Sequence, residues 1–293
     1  MKILVTIISS EKHLDSRIKI IQDTWLKDFE NYLIISDYDD KENHTVKVTD
    51  NKTYESAPEK NLKSFVESGY NHISINACSD AMKILNKVGY KEMGFPYYGW
   101  LIAIPTATIR TALTHNISLI FYGEDGEVEY GGSNETISNP IFNIDYIKRV
   151  YLEGGYDKVL DKSNLTENDL YFFRFPEDKD LENKELNLTH LSYFENWDPY
   201  RNYLVAKEYC GLQEAETNNE GTFTNFSQND QALYALHTYL MYLKFGFGRA
   251  TQDAGIEIRR GAMNREQGLN LVKMFDGKYP DIWESQYLDY YQI

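Results

Sequence analysis

The sequence predicts an α/β protein in which a parallel sheet is followed by a mainly helical C-terminal part. Apolar runs typical of strands occur at residues 2–8, 32–36 and 119–122. Helical patterns separate these runs, and such an alternation is typical of a parallel, doubly wound sheet. After residue 140 the strand patterns stop. We therefore expect two domains, 1–140 and 141–293.

Weaker patterns extend the sheet and supply the helices. Residues 45–49 and 72–75 are predicted as further strands, the first of them at a sheet edge. Apolar residues repeat at helical spacing in 78–88 and in 101–113, on either side of an aromatic loop at 95–100. In the C-terminal part, helices are predicted at about 229–244, 251–259 and 264–274, the last with a capping box formed by Asn264 and Gln267.

Composition and charge restrict the class of protein. The chain carries 45 acidic and 30 basic residues, and its formal net charge of −15 argues against a duplex nucleic-acid binder. Its two cysteines, Cys78 and Cys210, exclude a disulfide framework and a four-cysteine zinc site. We expect no signal peptide and no membrane span, because no apolar run approaches ~18 residues. These features predict a cytoplasmic protein that handles small ligands.

The predicted strand at 119–122 leads into a segment, 123–132, that is rich in carboxylates and glycine. Open α/β sheets bind ligands at the carboxyl ends of their strands, and carboxylates packed together repel one another, so stability alone explains them poorly. A solvated acidic turn is the alternative, because Asp125-Gly126 is a common turn dipeptide. The predicted catalytic residues are Glu124, Glu127 and Glu129. The residues predicted to bind substrate are Tyr130, Gly131 and Gly132.

The loop after the first predicted strand, 9–16, occupies the position of a phosphate loop. Strand, polar loop and helix form the geometry in which amides at a helix N-terminus hold phosphate. Phosphate loops are normally rich in glycine, and this one has none. Asp15 or Ser16 also suits a simple helix N-cap. The predicted cofactor-binding residues are Ser9, Ser10, Asp15 and Ser16.

Charged residues in the C-terminal part form a second candidate site. A Gly-x-Gly turn at 246–248 precedes a predicted helix whose charges repeat at helical spacing, with Asp253 and Glu257 on one face. A surface salt-bridge helix is one interpretation. A site for an anionic sugar or phosphate is the other, because flexible backbone and a fixed cation lie together. The residues predicted to bind substrate are Arg249, Asp253 and Arg259. The six histidines are scattered and give no metal-ligand spacing, so no metal site is predicted from them.

Several motifs, in one order, resemble the N-acetyl sugar amidotransferases of the PP-loop ATP pyrophosphatase superfamily. Residues 121–132 resemble the acidic signature of that family, and 244–266 is the most similar stretch. Shorter similar pieces lie at 61–65, 68–70, 197–199 and 220–222. The resemblance covers roughly residues 46–293.

The resemblance implies a Rossmann-like ATP domain, similar to the adenine nucleotide alpha hydrolases, and a role in bacterial surface-polysaccharide (lipopolysaccharide) biosynthesis. Members of the family activate the acetamido carbonyl of a nucleotide or acidic N-acetylated sugar by adenylylation, with ATP and Mg²⁺. Ammonia from a separate glutaminase then displaces AMP and leaves an acetamidino group. The family's Ser-Gly-Gly-x-Asp-Ser loop and N-terminal cysteine pairs are absent here. We therefore expect ATP to bind in the millimolar range or not at all.

Two further functions stay open beside the amidotransferase. One is a catalytically impaired relative that only binds the sugar. The other is a metal-dependent glycosyltransferase, because Asp37-Tyr38-Asp39 follows a predicted strand and such a pair can hold a metal and a nucleotide diphosphate. An acidic turn is the more common structure for this tripeptide. The first 45 residues are also similar to the opening of fringe-type glycosyltransferases.

Overall fold

The computed structural model describes two compact units, Met1–Glu59 and Lys60–Ile293. The residues it describes are 5–8, 32–36, 45–47, 63, 66–67, 72–123, 135–136, 139–182, 184–215, 217–226 and 232–293. The predicted domain boundary after residue 140 stays a prediction.

Three short parallel strands form the described part of the first unit. They are β1 (Val5–Ile8), β2 (Tyr32–Ser36) and β3 (Thr45–Lys47), adjacent in that order. Each lies within a predicted strand. The predicted phosphate loop at 9–16 and the Asp37-Tyr38-Asp39 tripeptide lie outside the described residues. The Rossmann-like arrangement of this unit therefore stays a prediction.

A pair of long helices begins the regular part of the second unit. Helix α1 (Ser79–Met93) begins one residue after the start of the predicted helix and extends beyond its end. Helix α2 (Tyr98–Thr114) contains the predicted helix and extends beyond it. Gly94 ends α1 in the left-handed region, with φ of 65°, a conformation that glycine adopts without strain. The predicted strand at 72–75 is wrong, because these residues have no regular secondary structure.

A two-stranded parallel sheet follows the helix pair. Strand β4 (Leu119–Tyr122) pairs with β5 (Asn187–His190), with Tyr122 opposite His190. The prediction that no strand follows residue 140 is therefore wrong. The continuous apolar run at 119–122 also predicts a strand that is buried on both faces. This prediction is wrong, since Leu119 and Phe121 are 52% and 49% exposed and only Ile120 is buried. The segments between the two strands form α3 (Ile144–Tyr146), which continues as a π-helical turn (Ile147–Tyr151), α4 (Tyr156–Ser163) and α5 (Asp178–Leu181).

The C-terminal part is mainly helical, as predicted. Its helices are α6 (Pro199–Cys210), α7 (Leu233–Phe245), α8 (Arg249–Arg259), α9 (Arg265–Phe275) and α10 (Glu284–Tyr291). The predicted capping box is confirmed, because the side chains of Asn264 and Gln267 each accept a hydrogen bond from the other's backbone amide. Helices α6 and α10 were not predicted.

The main hydrophobic core combines the helix pair, the sheet and α4. Leu85, Ile102 and Leu188 are completely or almost completely buried in it, together with Val159 and Phe173. The core therefore draws on residues from both sides of position 140. Tyr291 of α10 joins the C-terminal helices to the loop between α1 and α2, since its ring stacks on Tyr90 and its hydroxyl donates to the Pro96 carbonyl. Every helix among the described residues is too short or too polar to cross a membrane.

Close contact between α1 and α2 depends on Gly89. A Cβ atom at this position would lie 2.1 Å from Cβ of Tyr98, which only a shift of one helix can relieve. We expect Gly89→Ala to lower the free energy of unfolding by about 3 kcal/mol. Gly255→Ala in α8 is the matched control, since its nearest atom is the flexible Arg259 Nη1 at 3.2 Å. The free energy of unfolding of the control should equal that of the parent or exceed it by up to about 1 kcal/mol. Equal urea midpoints for both variants would contradict this packing.

Candidate functional site

The carboxyl ends of β4 and β5 lie side by side at one edge of the sheet. Tyr122 ends β4 directly opposite His190, which ends β5. This edge is where parallel sheets bind ligands, and the acidic segment leaves β4 here, after Gly123. The predicted catalytic and substrate-binding residues of that segment lie outside the described residues, and their roles stay predictions. They are Glu124, Glu127, Glu129, Tyr130, Gly131 and Gly132.

His190 is held rigidly at this edge. Its ring stacks on Phe142 with the ring centroids 5.0 Å apart, and the Tyr122 ring lies 5.4 Å away. A hydrogen bond of 3.1 Å joins Nε2 to the Tyr151 hydroxyl. Only 6% of His190 is exposed. The sequence does not predict a role for His190, because nothing around it along the chain distinguishes it from the other histidines.

An ion pair joins Glu135, three residues beyond the acidic segment, to the π-helical turn. Glu135 receives two hydrogen bonds from the Arg149 guanidinium, at 2.8 and 2.7 Å, and this bidentate contact lowers the pKa of Glu135. Arg149 and Tyr151 both belong to the π-helical turn. Turns of this rare type occur frequently at functional sites. The turn thus contacts both Glu135, through Arg149, and the histidine at the strand edge, through Tyr151.

A buried polar network forms the second candidate site. Arg249 and Asp253 are 3% and 5% exposed, and Arg249 Nε donates to Asp253 Oδ1 at 2.8 Å. Arg249 Nη1 also donates to the Tyr234 hydroxyl at 3.0 Å, and the Thr222 hydroxyl donates to Asp253. Burial raises the pKa of Asp253, while Arg249 and Thr222 oppose that effect. The interpretation as a surface salt-bridge helix is therefore wrong for this pair, which lies inside the protein.

This network brings motifs together that are separate in the sequence. The loop at 220–222 contacts α8 through Thr222 and through a backbone hydrogen bond of 3.2 Å from Ala250 to Gly221. At the other end of α8, Arg260 donates to Asp198 at 3.1 Å. Two of the shorter motifs, at 197–199 and 220–222, thus pack against the charged helix that follows the Gly-x-Gly turn.

A carboxylate of the chain itself occupies the N-terminus of α8. Asp276 accepts hydrogen bonds from the backbone amides of Gly248 at 2.8 Å and Ala250 at 3.0 Å. Gly248 permits this contact, because a Cβ there would lie 2.6 Å from Asp276 Oδ1. An anion is favoured at this end of a helix, and here the protein supplies it. The ligand predicted for this turn is an anionic sugar or a phosphate, whereas in the structure the Asp276 carboxylate accepts the hydrogen bonds of these amides.

The space beside Asp276 is small. A depression of about 150 Å³, open solvent included, lies between α7, α8 and the end of α9. Arg249 is one of the residues that line it, and Arg259 is exposed on α8. Substrate binding by Arg249, Asp253 and Arg259 stays a prediction. In the part of the chain that the structure describes, no three His, Cys, Asp or Glu side chains are grouped to hold a metal ion.

His237 on α7 lies next to this network. The rings of Phe95, Tyr97 and Tyr234 surround its imidazole. Burial, and then the charges of Lys244 and Arg249, lower the pKa of His237 from 6.5 to about 4. The imidazole is therefore neutral at physiological pH.

Part of the chain is similar to a known family. Residues 220–293 match a family described as LPS biosynthesis protein WbpG-like, C-terminal domain. The match covers about a quarter of the chain and includes Arg249, Asp253 and Asp276. No curated protein matches the chain significantly. The match fits the predicted role in surface-polysaccharide biosynthesis. Amidotransferase activity and membership of the PP-loop superfamily stay predictions.

We expect Asp276→Ala to destabilise the protein, because it leaves the amides of Gly248 and Ala250 without their carboxylate. The free energy of unfolding should fall by about 1–2 kcal/mol, measured by urea denaturation. Asp276→Asn keeps one oxygen acceptor, so its free energy of unfolding should fall by less than that of the alanine variant. If the alanine variant were as stable as the parent, Asp276 would not be the cap of α8.

The lowered pKa of His237 predicts a loss of stability in acid. Between pH 6.5 and about 4 the unfolded chain binds a proton at this residue and the folded chain does not. The folded state should therefore lose up to about 3 kcal/mol over this range relative to a variant without the imidazole. Urea denaturation of the parent and of His237→Phe at pH 7 and pH 4 measures the difference. A stability difference that does not change with pH would contradict the neutral, buried imidazole.

Proposed function

We propose that this protein is an ATP-dependent amidotransferase of surface-polysaccharide biosynthesis, which converts the acetamido group of an N-acetylated sugar to an acetamidino group. The observation that carries the proposal is the match of residues 220–293 to the LPS biosynthesis domain. The motifs that resemble the amidotransferases also support the proposal. Two of the shorter motifs, at 197–199 and 220–222, contact α8, which belongs to the most similar stretch, 244–266.

The chemistry of the proposal addresses one difficulty, which is that an amide oxygen is a poor leaving group. The amide oxygen attacks the α-phosphorus of ATP, and pyrophosphate leaves. Ammonia from a separate glutaminase subunit then adds to the amide carbon, the carbon–oxygen bond breaks, and AMP leaves. ATP with Mg²⁺ is thus a substrate of the reaction, and its proposed binding residues are Ser9, Ser10, Asp15 and Ser16.

We place the sugar at the edge formed by β4 and β5. The acidic segment follows Gly123 directly along the chain, and we propose that Glu124, Glu127 and Glu129 act on the sugar. The π-helical turn and the aromatic rings around His190 give this edge a fixed shape. In this proposal the network of Arg249 and Asp253 binds or positions the substrate from the C-terminal part.

The reaction can be tested with the purified chain, ATP, Mg²⁺, ammonium chloride and a panel of N-acetylated nucleotide sugars. We expect release of AMP and a sugar product in which NH replaces one oxygen, identified by mass spectrometry. Absence of this product with every sugar would overturn the proposal. Sugar binding without turnover would then favour the catalytically impaired relative.

A metal-dependent glycosyltransferase is the second candidate. One observation favours it, since β2 ends at Ser36 and Asp37-Tyr38-Asp39 follows directly along the chain. Nucleotide-sugar hydrolysis that requires manganese, and is lost in Asp39→Asn, would support this function instead.

Glu127→Gln tests the acidic segment. The variant should lose turnover or sugar binding while its free energy of unfolding changes by only ~0.5 kcal/mol, as for most surface carboxylates. Glu208→Gln on α6 is the matched control, since Glu208 is exposed and distant in sequence from all predicted site residues. The control should keep full activity. A fully active Glu127→Gln protein would show that the segment is only a solvated turn.

A further inference from the structure

Helix α6 lies on the surface of the protein and leaves one of its faces uncovered. Tyr203 holds it from the other side, since its ring stacks on Phe226 with the ring centroids 4.7 Å apart. None of the 12 residues of α6 is buried. Leu204 and Val205, at the middle of the helix, are 47% and 51% exposed. Exposed apolar side chains with a polar rim are typical of sites that bind another protein.

Two charged residues of opposite sign lie at the ends of this apolar face. Leu204 and Val205 follow Arg201 by three and four residues, and Glu208 follows it by seven. Residues at these spacings lie on one face of a helix. Arg201 and Glu208 are both exposed. We call this face, formed by residues 201, 204, 205 and 208, the α6 stripe.

Both charges of the α6 stripe can take a further partner. Arg201 Nη2 contacts Glu195 at 3.4 Å and the Asn196 carbonyl at 3.3 Å, and exposed ion pairs contribute little to stability. In the part of the chain that the structure describes, Nε and Nη1 of Arg201 and the carboxylate of Glu208 make no hydrogen bond or ion pair. Each group is therefore able to pair with an opposite charge on another molecule.

The α6 stripe is complementary to itself. Its midpoint lies between Leu204 and Val205, and Arg201 and Glu208 are equally far from that point, at about 5 Å along the helix axis. When a second copy lies antiparallel across a two-fold axis through the midpoint, Arg201 of each copy is opposite Glu208 of the other. Leu204 and Val205 are then each opposite the same residue of the second copy. Two-fold dimers are built on self-complementary contacts of this kind.

We propose that the α6 stripe is the contact surface of a homodimer in which two copies of α6 pack antiparallel. A second copy of this chain brings the matching apolar centre and the opposite charge at each end. The formal net charge of −15 repels two copies at long range. At 0.15 M salt, however, charges are screened beyond ~8 Å, so the close pairs of the stripe dominate. The inference does not rest on the proposed function.

The proposed dimer is weak, because one pair of short helices forms a small interface. Standard interfaces bury roughly 1,200–2,000 Å², and two helices of this length bury less. We expect a dissociation constant on the order of 100 μM. At the micromolar concentrations of an enzyme assay the chain is then mainly monomeric, so substitutions in the stripe leave the proposed reaction unchanged.

Sedimentation equilibrium of the full chain, from about 5 to 500 μM in 0.15 M sodium chloride, tests the apolar centre. Leu204→Glu should raise the dissociation constant at least about tenfold, because it places two carboxylates at the two-fold axis. Leu243→Glu on α7 is the matched control, since Leu243 is 61% exposed and lies on another helix. The control should dimerise like the parent. A parent chain that stays monomeric throughout, with its stripe left to a different protein, would overturn the inference, as would equal losses in both variants.

Reversal of the charges tests the antiparallel arrangement. Arg201→Glu or Glu208→Arg alone places like charges opposite one another at both ends, so each should raise the dissociation constant at least about tenfold. The double variant restores both pairs and should dimerise like the parent. Mixing the two single variants should likewise give a heterodimer, because each then meets the opposite charge. Both substitutions suit the helix, since they place a carboxylate in its first turn and a cation in its last. Failure of both the double variant and the mixture to recover the dimer would reject the antiparallel contact.

Discussion

The buried ion pair between Arg249 and Asp253 is the interaction on which the C-terminal part depends. Two charges removed from water are tolerated only if each is compensated by its partner and by hydrogen bonds. Thr222 and Tyr234 supply those bonds, so the 220–222 loop, α7 and α8 have to stay together. The carboxylate of Asp276 adds a further constraint, since it fixes the start of α8. These residues all lie within the part that matches the LPS biosynthesis family.

The same constraint connects the two candidate sites to one core. Tyr234 accepts a hydrogen bond from Arg249 and is also one of the rings that surround His237. The other rings around His237 belong to the loop that joins α1 to α2. The α1–α2 pair in turn packs in the core that contains β4 and β5. The strand edge with His190 and the charged helix α8 are thus held by one continuous set of packed side chains.

The sequence predicts those parts of the structure that depend on local patterns. Helices α7, α8 and α9 follow from apolar periodicity, and the capping box at Asn264 follows from residues three apart. Strand β5 was missed, because Asn187–His190 has little apolar character and is a strand only through its pairing with β4. Burial of Arg249 was missed for the same reason. Its partner Tyr234 comes from another helix, which no local pattern indicates.

The proposed function depends on adenylylation of the sugar, and isotope exchange tests this step most directly. The purified chain is incubated with ATP, Mg²⁺, labelled pyrophosphate and an N-acetylated nucleotide sugar, without ammonia. The account predicts that label enters ATP only when the acetylated sugar is present, because pyrophosphate then reverses the transfer of AMP. With ATP above its dissociation constant, no exchange with any acetylated sugar, or exchange that is independent of the sugar, would contradict it.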